Sequence, residues 1–525
     1  MIFDYTIIGA GVAGLSIAAL LAKDGYTVQL IESHSKPGGC ASFFRDKSFR
    51  YDVGATTLSG FREGEPIHKL VKLLDLDKIS FKNKSLNGEL EANLNISPSK
   101  NGIQIYQAAK SIRRYSDKRA WIEESYEKLI EKKSAEAKLR HQQFWEELYR
   151  IEKDGFYILS KHKNLIPASF NDLIECLNPE RLFANITALK HLPELFLPLD
   201  YLLKKYFLQD EMKFIEFLDE QLIISTQNNT KKTPIFTAAL GLTYASSINY
   251  VYGGVNQLAV ALLNKCEELG VKVTMRREVV KIEKLTDKTN TVGSYKLVDK
   301  SNEEYFTKNI ISNLSFWNMA EMTNGSIRDF YEIFAARFQY SISAFTVYLG
   351  LETDYKPTTD YAQIILDSPI KHCCSKSFFV SYSRSDDKIK AEDKGLNIII
   401  STHTDSTEWL NLDPEIYLQK KTETETEILK ELFKHIPELI SSDSKLNETK
   451  IKSLISGTAK TFQHYTKRKN GTVGGLPHSI DYSFFELMPK KVPGEKIFMV
   501  GDTGFPGQGL VSTVYSALSV YEAVK

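Results

Sequence analysis

Three short runs in this sequence combine residue types suited to holding phosphates and sugars: Gly9-Ala10-Gly11-Val12-Ala13-Gly14, Gly38-Gly39, and Gly501-Asp502 followed by Gly507-Gln508-Gly509-Leu510. The first has the form G-x-G-x-x-G. Its first glycine permits a tight turn, its second lets the backbone approach a pyrophosphate, and its third lets a helix pack closely on a strand. The helix that follows offers N–H groups and the positive end of its dipole, here from Val12 and Ala13 onward. Glycine turns are common, so the flanks decide. Residues 4–8 are a short apolar run that suits a buried strand, residues 15–24 have helical spacing closed by Gly25, and residues 27–31 form a second apolar run ending at Glu32. Such a βαβ unit crosses over right-handed and makes its strands parallel. A carboxylate there, with Ser33 beside it, accepts protons from both ribose hydroxyls and repels a 2′-phosphate. Residues 4–32 therefore read as the binding site for the ADP half of a dinucleotide.

The other two runs extend that site. Gly38-Gly39, in a Lys36-Pro37-Gly-Gly loop, is an ordinary turn when taken alone, but next to Glu32 it reads as a second glycine contact with phosphates. Gly501-Asp502 follows an apolar strand at 496–500 and precedes a helix over 510–524. Asp502 is placed to bind ribityl hydroxyls. The helix start at Gly509-Leu510 aims N–H groups at a flavin pyrimidine ring, where the reduced ring carries negative charge. The alternative reading is an exposed turn with an Asx cap.

The elements that position these runs are dispersed. Residues 80–106 alternate weakly around Asn87-Gly88 and Asn101-Gly102, which predicts hairpins. From Lys110 to about Leu222 the pattern is helical. Residues 118–151 are dense in Glu and Lys, with Trp121, Tyr126, Leu129, Ile130, Phe144, Trp145 and Leu148 as apolar positions, so their charges read as a solvated helix face. Residues 189–208 are more apolar, broken by Pro193 and Pro198, and carry Lys204 and Lys205. They fit a core helix pair or a segment touching a membrane interface. A helix at 257–269 and strands at 271–275, 279–282 and 306–312 restore α/β character. Strand-rich stretches at 338–351 and 396–403 and an amphipathic helix at 415–439 follow. One domain is thus assembled from the start, the middle and the end of the chain, with a second inserted in it.

Composition narrows the class. The 525 residues are too many for one compact core. With 67 Lys+Arg against 66 Asp+Glu, no global field steers the chain to nucleic acid. Cys40, Cys176, Cys266, Cys373 and Cys374 have no metal-ligand spacing, and their odd number predicts reduced thiols and a cytoplasmic setting. The apolar stretch 6–22 lacks a basic leader and contains three glycines, so it is not read as a signal peptide. No run of about 20 apolar residues predicts a transmembrane helix, which leaves peripheral membrane contact open. No Ser/His/Asp arrangement or metal cluster stands out, and neither His464 nor His478 is assigned a role.

These motifs together resemble the carotenoid isomerase, phytoene desaturase and retinol saturase group of FAD-dependent oxidoreductases, a branch of the amine-oxidase-like flavoproteins. The resemblance covers nearly the whole chain. Besides the runs above it rests on Arg50-Tyr51-Asp52-Val53-Gly54-Ala55-Thr56-Thr57, Asn249-Tyr250-Val251-Tyr252-Gly253-Gly254, Ile311-Ser312-Asn313 with Trp317, Gly457-Thr458-Ala459-Lys460-Thr461-Phe462, and Phe505-Pro506-Gly507-Gln508-Gly509. It implies an α/β fold: a Rossmann-like FAD-binding domain of the glutathione-reductase type from residues 1–80, 241–325 and 466–525. Residues 81–240 (helical) and 326–465 (sheet and helix) would form the inserted substrate domain. It also implies non-covalent FAD. Gly9, Gly11, Gly14, Gly38, Gly39 and Cys40 would line the pyrophosphate path, Glu32 would hold the adenosine ribose, and Val279 would contact adenine through its backbone. Ala55, Thr56 and Thr57 would lie against the isoalloxazine. Gly501 and Asp502 would hold the ribityl-phosphate part, Gly509 and Leu510 would sit near the flavin carbonyl, and Gly54 and Asn313 would also be cofactor-binding.

The implied activity is hydride exchange at flavin N5 with a long apolar polyene or isoprenoid, in cis–trans isomerisation, saturation or desaturation. The Gly38-Gly39-Cys40 and Phe-Pro-Gly-Gln-Gly runs are closest to the isomerase and saturase types. No second G-x-G-x-x-G follows a strand, so an external electron donor or acceptor is expected. Two departures touch the substrate side: Tyr244-Ala245-Ser246-Ser247 replaces a glycine-rich run, and Ser512-Thr513 replaces smaller or apolar residues. The competing readings are an amine-oxidase-like flavoenzyme and a non-catalytic prenyl-binding escort protein of the same fold. The second would have lost cofactor determinants such as Glu32, Gly39 and Asp502.

Overall fold

The computed structural model describes residues 1–76, 81–82, 91–92, 94–108, 110–161, 182–285, 294–338, 342–392, 394–440, 450–482 and 486–525. Strand Ile2–Ile8 lies inside a seven-stranded sheet and pairs in parallel with Val28–Ile31 on one side and Glu304–Ser312 on the other. A central parallel strand is covered on both faces, which is why its sequence is a nearly unbroken apolar run. Lys272–Thr274 extends the parallel order beyond Val28–Ile31, and Ile497–Met499 pairs in parallel with the second half of Glu304–Ser312. The antiparallel strands Tyr295–Asp299 and Val279–Lys284 continue from its first half. One sheet thus draws strands from the start, the middle and the end of the chain.

Helices cover both faces. Helix Val12–Lys23 packs against Asn256–Glu268 and Leu510–Val524. Ile7, Leu15, Leu258, Leu262, Val514 and Leu518 form their common core with the sheet. Ile8, Ile31, Val279, Phe316 and Tyr331 fill the opposite side beneath helices Phe316–Met322 and Gly325–Arg337. Helix Val12–Lys23 starts three residues before the predicted position, because Gly11 is its extended N-cap and the helix begins inside the glycine motif.

A second seven-stranded sheet runs in the order Ile451–Gly457, Ile342–Glu352, Gly395–Asp405, Ser377–Tyr382, Tyr361–Ile365, Ile103–Gln107, Lys110–Arg114. Its pairings are antiparallel except between Tyr361–Ile365 and Ile103–Gln107. Helix Pro414–His435 packs one face through Ile428 and Leu432 against Phe345 and Ile398. The other face meets a helical layer whose core holds Trp121, Phe144, Trp145, Phe214 and Phe217. All seven apolar positions expected within 118–151 are buried. Six sit on two helices, Lys118–Leu129 and Ala135–Lys161, and Ile130 is the extended residue that ends the first.

Two local expectations are corrected. Asn101-Gly102 is not a hairpin turn: it joins Ile96–Pro98, which pairs with Asn249–Val251, to Ile103–Gln107 in the mixed sheet. Both residues have positive φ (54° and 71°), and a Cβ on Gly102 would stand 2.1 Å from the Arg114 carbonyl. Residues 110–114 are a strand, not a helix. Arg114 points inward, is 1% exposed, and donates to Gln221 and the Leu242 carbonyl. The helix starts only where Asp117 accepts the Ala120 N–H at 2.8 Å. The 189–208 segment is helix to Lys190, a short turn Pro193–Leu195, and helix Leu199–Lys205. Asn87-Gly88 and Cys176 lie outside the described residues, and strands Phe81–Lys82 and Glu91–Ala92 pair antiparallel. Cys40, Cys266, Cys373 and Cys374 are free thiols.

Candidate functional site

The glycine turns meet at one side chain. Asn313 follows strand Glu304–Ser312, and its backbone N–H donates to the Ile8 carbonyl at 2.9 Å. A Cβ on Gly11 would lie 2.3 Å from Asn313 Nδ2, and one on Gly501 would lie 2.8 Å from Asn313 Oδ1. Both positions exclude a side chain because Asn313 fills the space between them. Gly14 serves packing: a Cβ there would stand 2.1 Å from the Gly9 carbonyl. Gly38 joins the cluster through its N–H, which donates to the Ala10 carbonyl at 2.8 Å, and its φ of 108° suits glycine alone.

Every predicted cofactor residue except Gly14 lines a single cavity of about 1890 Å³: Gly9, Gly11, Val12, Ala13, Glu32, Ser33, Gly38, Gly39, Cys40, Gly54, Ala55, Thr56, Thr57, Val279, Asn313, Gly501, Asp502, Gly509 and Leu510. A pocket for one small ligand occupies ~300–1,000 Å³, so this volume admits a dinucleotide and a second molecule together. Two helices, Val12–Lys23 and Leu510–Val524, turn their amino termini to it. Among the described residues neither has a side-chain cap on its first N–H groups. These two positive helix ends suit the two electron-rich parts of a flavin dinucleotide, its pyrophosphate and its ring carbonyl. The residues present fit such a group.

Glu32 has a second task. Its carboxylate accepts the Ala10 N–H at 2.6 Å and the His34 N–H at 2.7 Å, so it also fixes the glycine turn against its own strand end. Asp502 is paired with Arg468, with Nη1 to Oδ2 at 2.8 Å. Arg468 lies against the Cys40 thiol, and the Asp502 carboxylate holds its pKa above the ordinary guanidinium value despite burial. Burial pushes the Cys40 thiol up, against the opposing pull of Arg468. Arg468 lines the cavity but was not anticipated from sequence. In the run Lys467-Arg468-Lys469 it looks like one more solvated cation.

Val53 to Thr57 bridge the two sheets. Tyr348 donates to the Val53 carbonyl, Ser381 donates to Thr56 Oγ1 at 2.7 Å, and Tyr361 donates to the Thr56 carbonyl at 3.4 Å. Beyond this junction the cavity continues between helices Ala135–Lys161 and Ile235–Thr243, lined by Phe156, Leu159, Phe236 and Leu240. His403 and His478 also line it. Burial lowers both to about 4, so near neutral pH they carry no charge into the chamber. His464 lines the cavity as well. No group of His, Cys, Asp or Glu among the described residues could hold a metal ion.

The fold and site are those of a dinucleotide-binding, Rossmann-like protein of amine-oxidase-like architecture. Residues 7–74 match the NAD(P)-binding Rossmann-like domain family. The chain is homologous to the prolycopene isomerase of Arabidopsis thaliana, 23% identical over 525 residues spanning 98% of this chain and 82% of that protein. It is 31% identical over 114 residues, 22% of this chain and 18% of that protein, to the all-trans-retinol 13,14-reductase of Danio rerio. Among solved structures it shares the fold of a cyclohexylamine oxidase from Brevibacterium oxydans, with TM-score 0.58, 12% identity, and coverage of 100% of this chain and 99% of that one.

Asp502→Ala leaves the half-buried Arg468 without its carboxylate; breaking a fully buried pair costs about 3–5 kcal/mol. Arg468 is partly exposed, so a smaller loss is expected. Purified D502A should retain at least tenfold less flavin than wild type, read by visible absorbance after dialysis. Undiminished flavin content would contradict a role for this pair in holding the cofactor.

Proposed function

We propose that this chain is an FAD-dependent enzyme that isomerises, saturates or desaturates a long apolar polyene or isoprenoid. Residues 1–80, 241–325 and 466–525 would hold the cofactor, and residues 81–240 and 326–465 the substrate. The observation that carries this reading is the continuity of one cavity from the glycine turns to an apolar chamber between two helices. Bound FAD would supply hydride exchange with the polyene at N5.

The chain's own residues do the rest. Gly9, Gly11, Gly38 and Gly39 admit the pyrophosphate, Glu32 the adenosine ribose, and Asp502 with Arg468 the ribityl part. Gly54 to Thr57 shape the wall between cofactor and substrate. Phe156, Leu159, Phe236 and Leu240 orient an apolar chain and exclude water, and His403 and His478 are neutral there. A polyene reaction of this kind needs orientation and dryness more than an acid/base pair. The presence of Glu32, Gly39 and Asp502 in the cavity disfavours the non-catalytic escort reading.

Expression of the chain in cells that accumulate poly-cis or acyclic carotenoids should change their polyene pattern, read by liquid chromatography. No change in any polyene with well-expressed, flavin-loaded protein would count against carotenoids as the substrate. Electrons are expected to come from or go to an external partner, since the sequence contains one dinucleotide-binding glycine motif of this type.

An apolar substrate must be collected from lipid, and we assign peripheral membrane contact to the segment around residues 186–212. What supports this is its cluster of exposed apolar side chains: Leu189 (66%), Phe196, Tyr201, Phe207 (64%) and Met212. Lys204 and Lys205 are paired with Asp200 and Glu147, so apolar insertion rather than charge would dominate. No helix among the described residues is long and apolar enough to cross a membrane. Co-sedimentation with phosphatidylcholine vesicles should fall several-fold in the double variant Leu189→Glu, Phe196→Glu. Equal sedimentation of variant and wild type would contradict the assignment.

A further inference from the structure

The mixed sheet turns one face to the cavity, and the alternation along strand Gly395–Asp405 decides which side chains reach it. Ile398 and Ile400 pack toward helix Pro414–His435, whereas Ile399 packs the other way against Tyr348. Ser401 and His403 continue on the side of Ile399, and both line the cavity. Across the sheet Ser401 lies between Thr346 and Phe379, and His403 is opposite Ala344. None of these cross-strand neighbours is charged.

Other hydroxyls along the cavity are already engaged. Ser377 Oγ accepts from Gln363 Nε2 at 3.0 Å, Thr237 donates to the Pro234 carbonyl at 3.1 Å, and Ser225 donates to the Gln221 carbonyl at 3.1 Å. Ser401 Oγ and the His403 imidazole have no hydrogen-bond partner among the described residues. Burial lowers the His403 imidazole to about 4, and no carboxylate opposes that shift. Near neutral pH the ring therefore offers one N–H donor and one acceptor nitrogen. Being two residues apart on one strand face, the two side chains stand about 7 Å apart. The strand rise puts His403 about 13 Å beyond Ile399, whose cross-strand neighbour Tyr348 donates to the Val53 carbonyl.

We propose that Ser401 and His403 are specificity-determining residues that hydrogen-bond an uncharged oxygen of the substrate, a hydroxyl or a carbonyl. The inference rests on the polyene reading above and deepens it. A few placed polar groups in a largely apolar pocket are what fix a ligand's orientation. When a hydrocarbon fills the chamber it displaces water from these two groups and leaves them unpaired, which is costly. A substrate oxygen restores the bonds: the imidazole donates to a carbonyl or accepts from a hydroxyl, and Ser401 does either. A carboxylate or an ammonium would lose its hydration here without meeting an opposite charge on these strands, which argues against simple amines and against acids. Sites built to bond a substrate oxygen discriminate strongly against the analogue that lacks it.

The test is binding of four probes of one skeleton, all-trans-retinol, all-trans-retinal, all-trans-retinoic acid and the deoxy hydrocarbon, to the flavin-loaded full chain. Binding is read by perturbation of flavin absorbance and quenching of tryptophan fluorescence. Wild type should bind the alcohol or the aldehyde about tenfold more tightly than the hydrocarbon, a difference of about 1.4 kcal/mol. The acid should bind no more tightly than the hydrocarbon. His403→Phe should bind alcohol, aldehyde and hydrocarbon alike while keeping its flavin, and Ser401→Ala should lose about threefold of the preference. Equal binding of alcohol, aldehyde and hydrocarbon by wild type, tightest binding of the acid, or an undiminished preference in H403F would overturn the proposal. The polyene reading would then stand, because the hydrocarbon skeleton still binds. Binding of none of the four would overturn the polyene reading and this inference with it. Should H403F fail to fold, S401A decides, since it removes a single oxygen: a reduced preference supports the contact and an unchanged one overturns it.

Discussion

Asn313 holds this architecture together. It stands at the end of a central strand, between the glycine turn of the amino terminus and the glycine turn of the carboxy terminus, and it fills the space that a side chain on Gly11 or Gly501 would need. The parallel pairing of Ile2–Ile8 and Ile497–Met499 with the same strand, Glu304–Ser312, brings the two turns there. A side chain on either glycine would have to displace the Asn313 amide, and at Gly501 it would also strain a backbone with φ of 108°. Glu32 supports the same arrangement from below by accepting the Ala10 and His34 N–H groups.

The consequence is a cavity whose polar and apolar halves have separate origins. The polar half is built from turns, where glycine permits close backbone approach and uncapped helix ends supply positive potential. The apolar half is built from helix faces that the inserted segments bring in. Val53 to Thr57 join them, anchored to the mixed sheet by Tyr348, Tyr361 and Ser381. Movement of the mixed sheet relative to the Rossmann-like sheet would therefore be felt at the junction of the two halves.

Much of this was legible in the sequence because its signals are local. The βαβ unit, the carboxylate at Glu32 and the final strand–turn–helix are each contained within about thirty residues and follow fixed chemistry. The seven buried apolar positions within 118–151 followed from helical spacing alone. What was not legible depends on distant partners. Arg114 looks like a surface cation until Gln221 and the Leu242 carbonyl close on it, and that burial makes residues 110–114 a strand. Asn101-Gly102 has the residue types of a hairpin turn, but its two strands go to different sheets. Arg468 and Glu152 lie in charge-rich runs, and only tertiary packing separates them from their solvated neighbours.

The central claim is that the two ends of the chain together hold one extended FAD. Its most direct test is to purify the full chain, denature it, and separate the released nucleotide by chromatography with flavin fluorescence detection, for wild type and for Gly11→Ala and Gly501→Ala. The account predicts FAD released near one equivalent from wild type, and loss of FAD in both variants, since each displaces the same Asn313. FMN or no flavin from wild type after incubation with FAD, or full FAD in the Gly501→Ala variant, would contradict it.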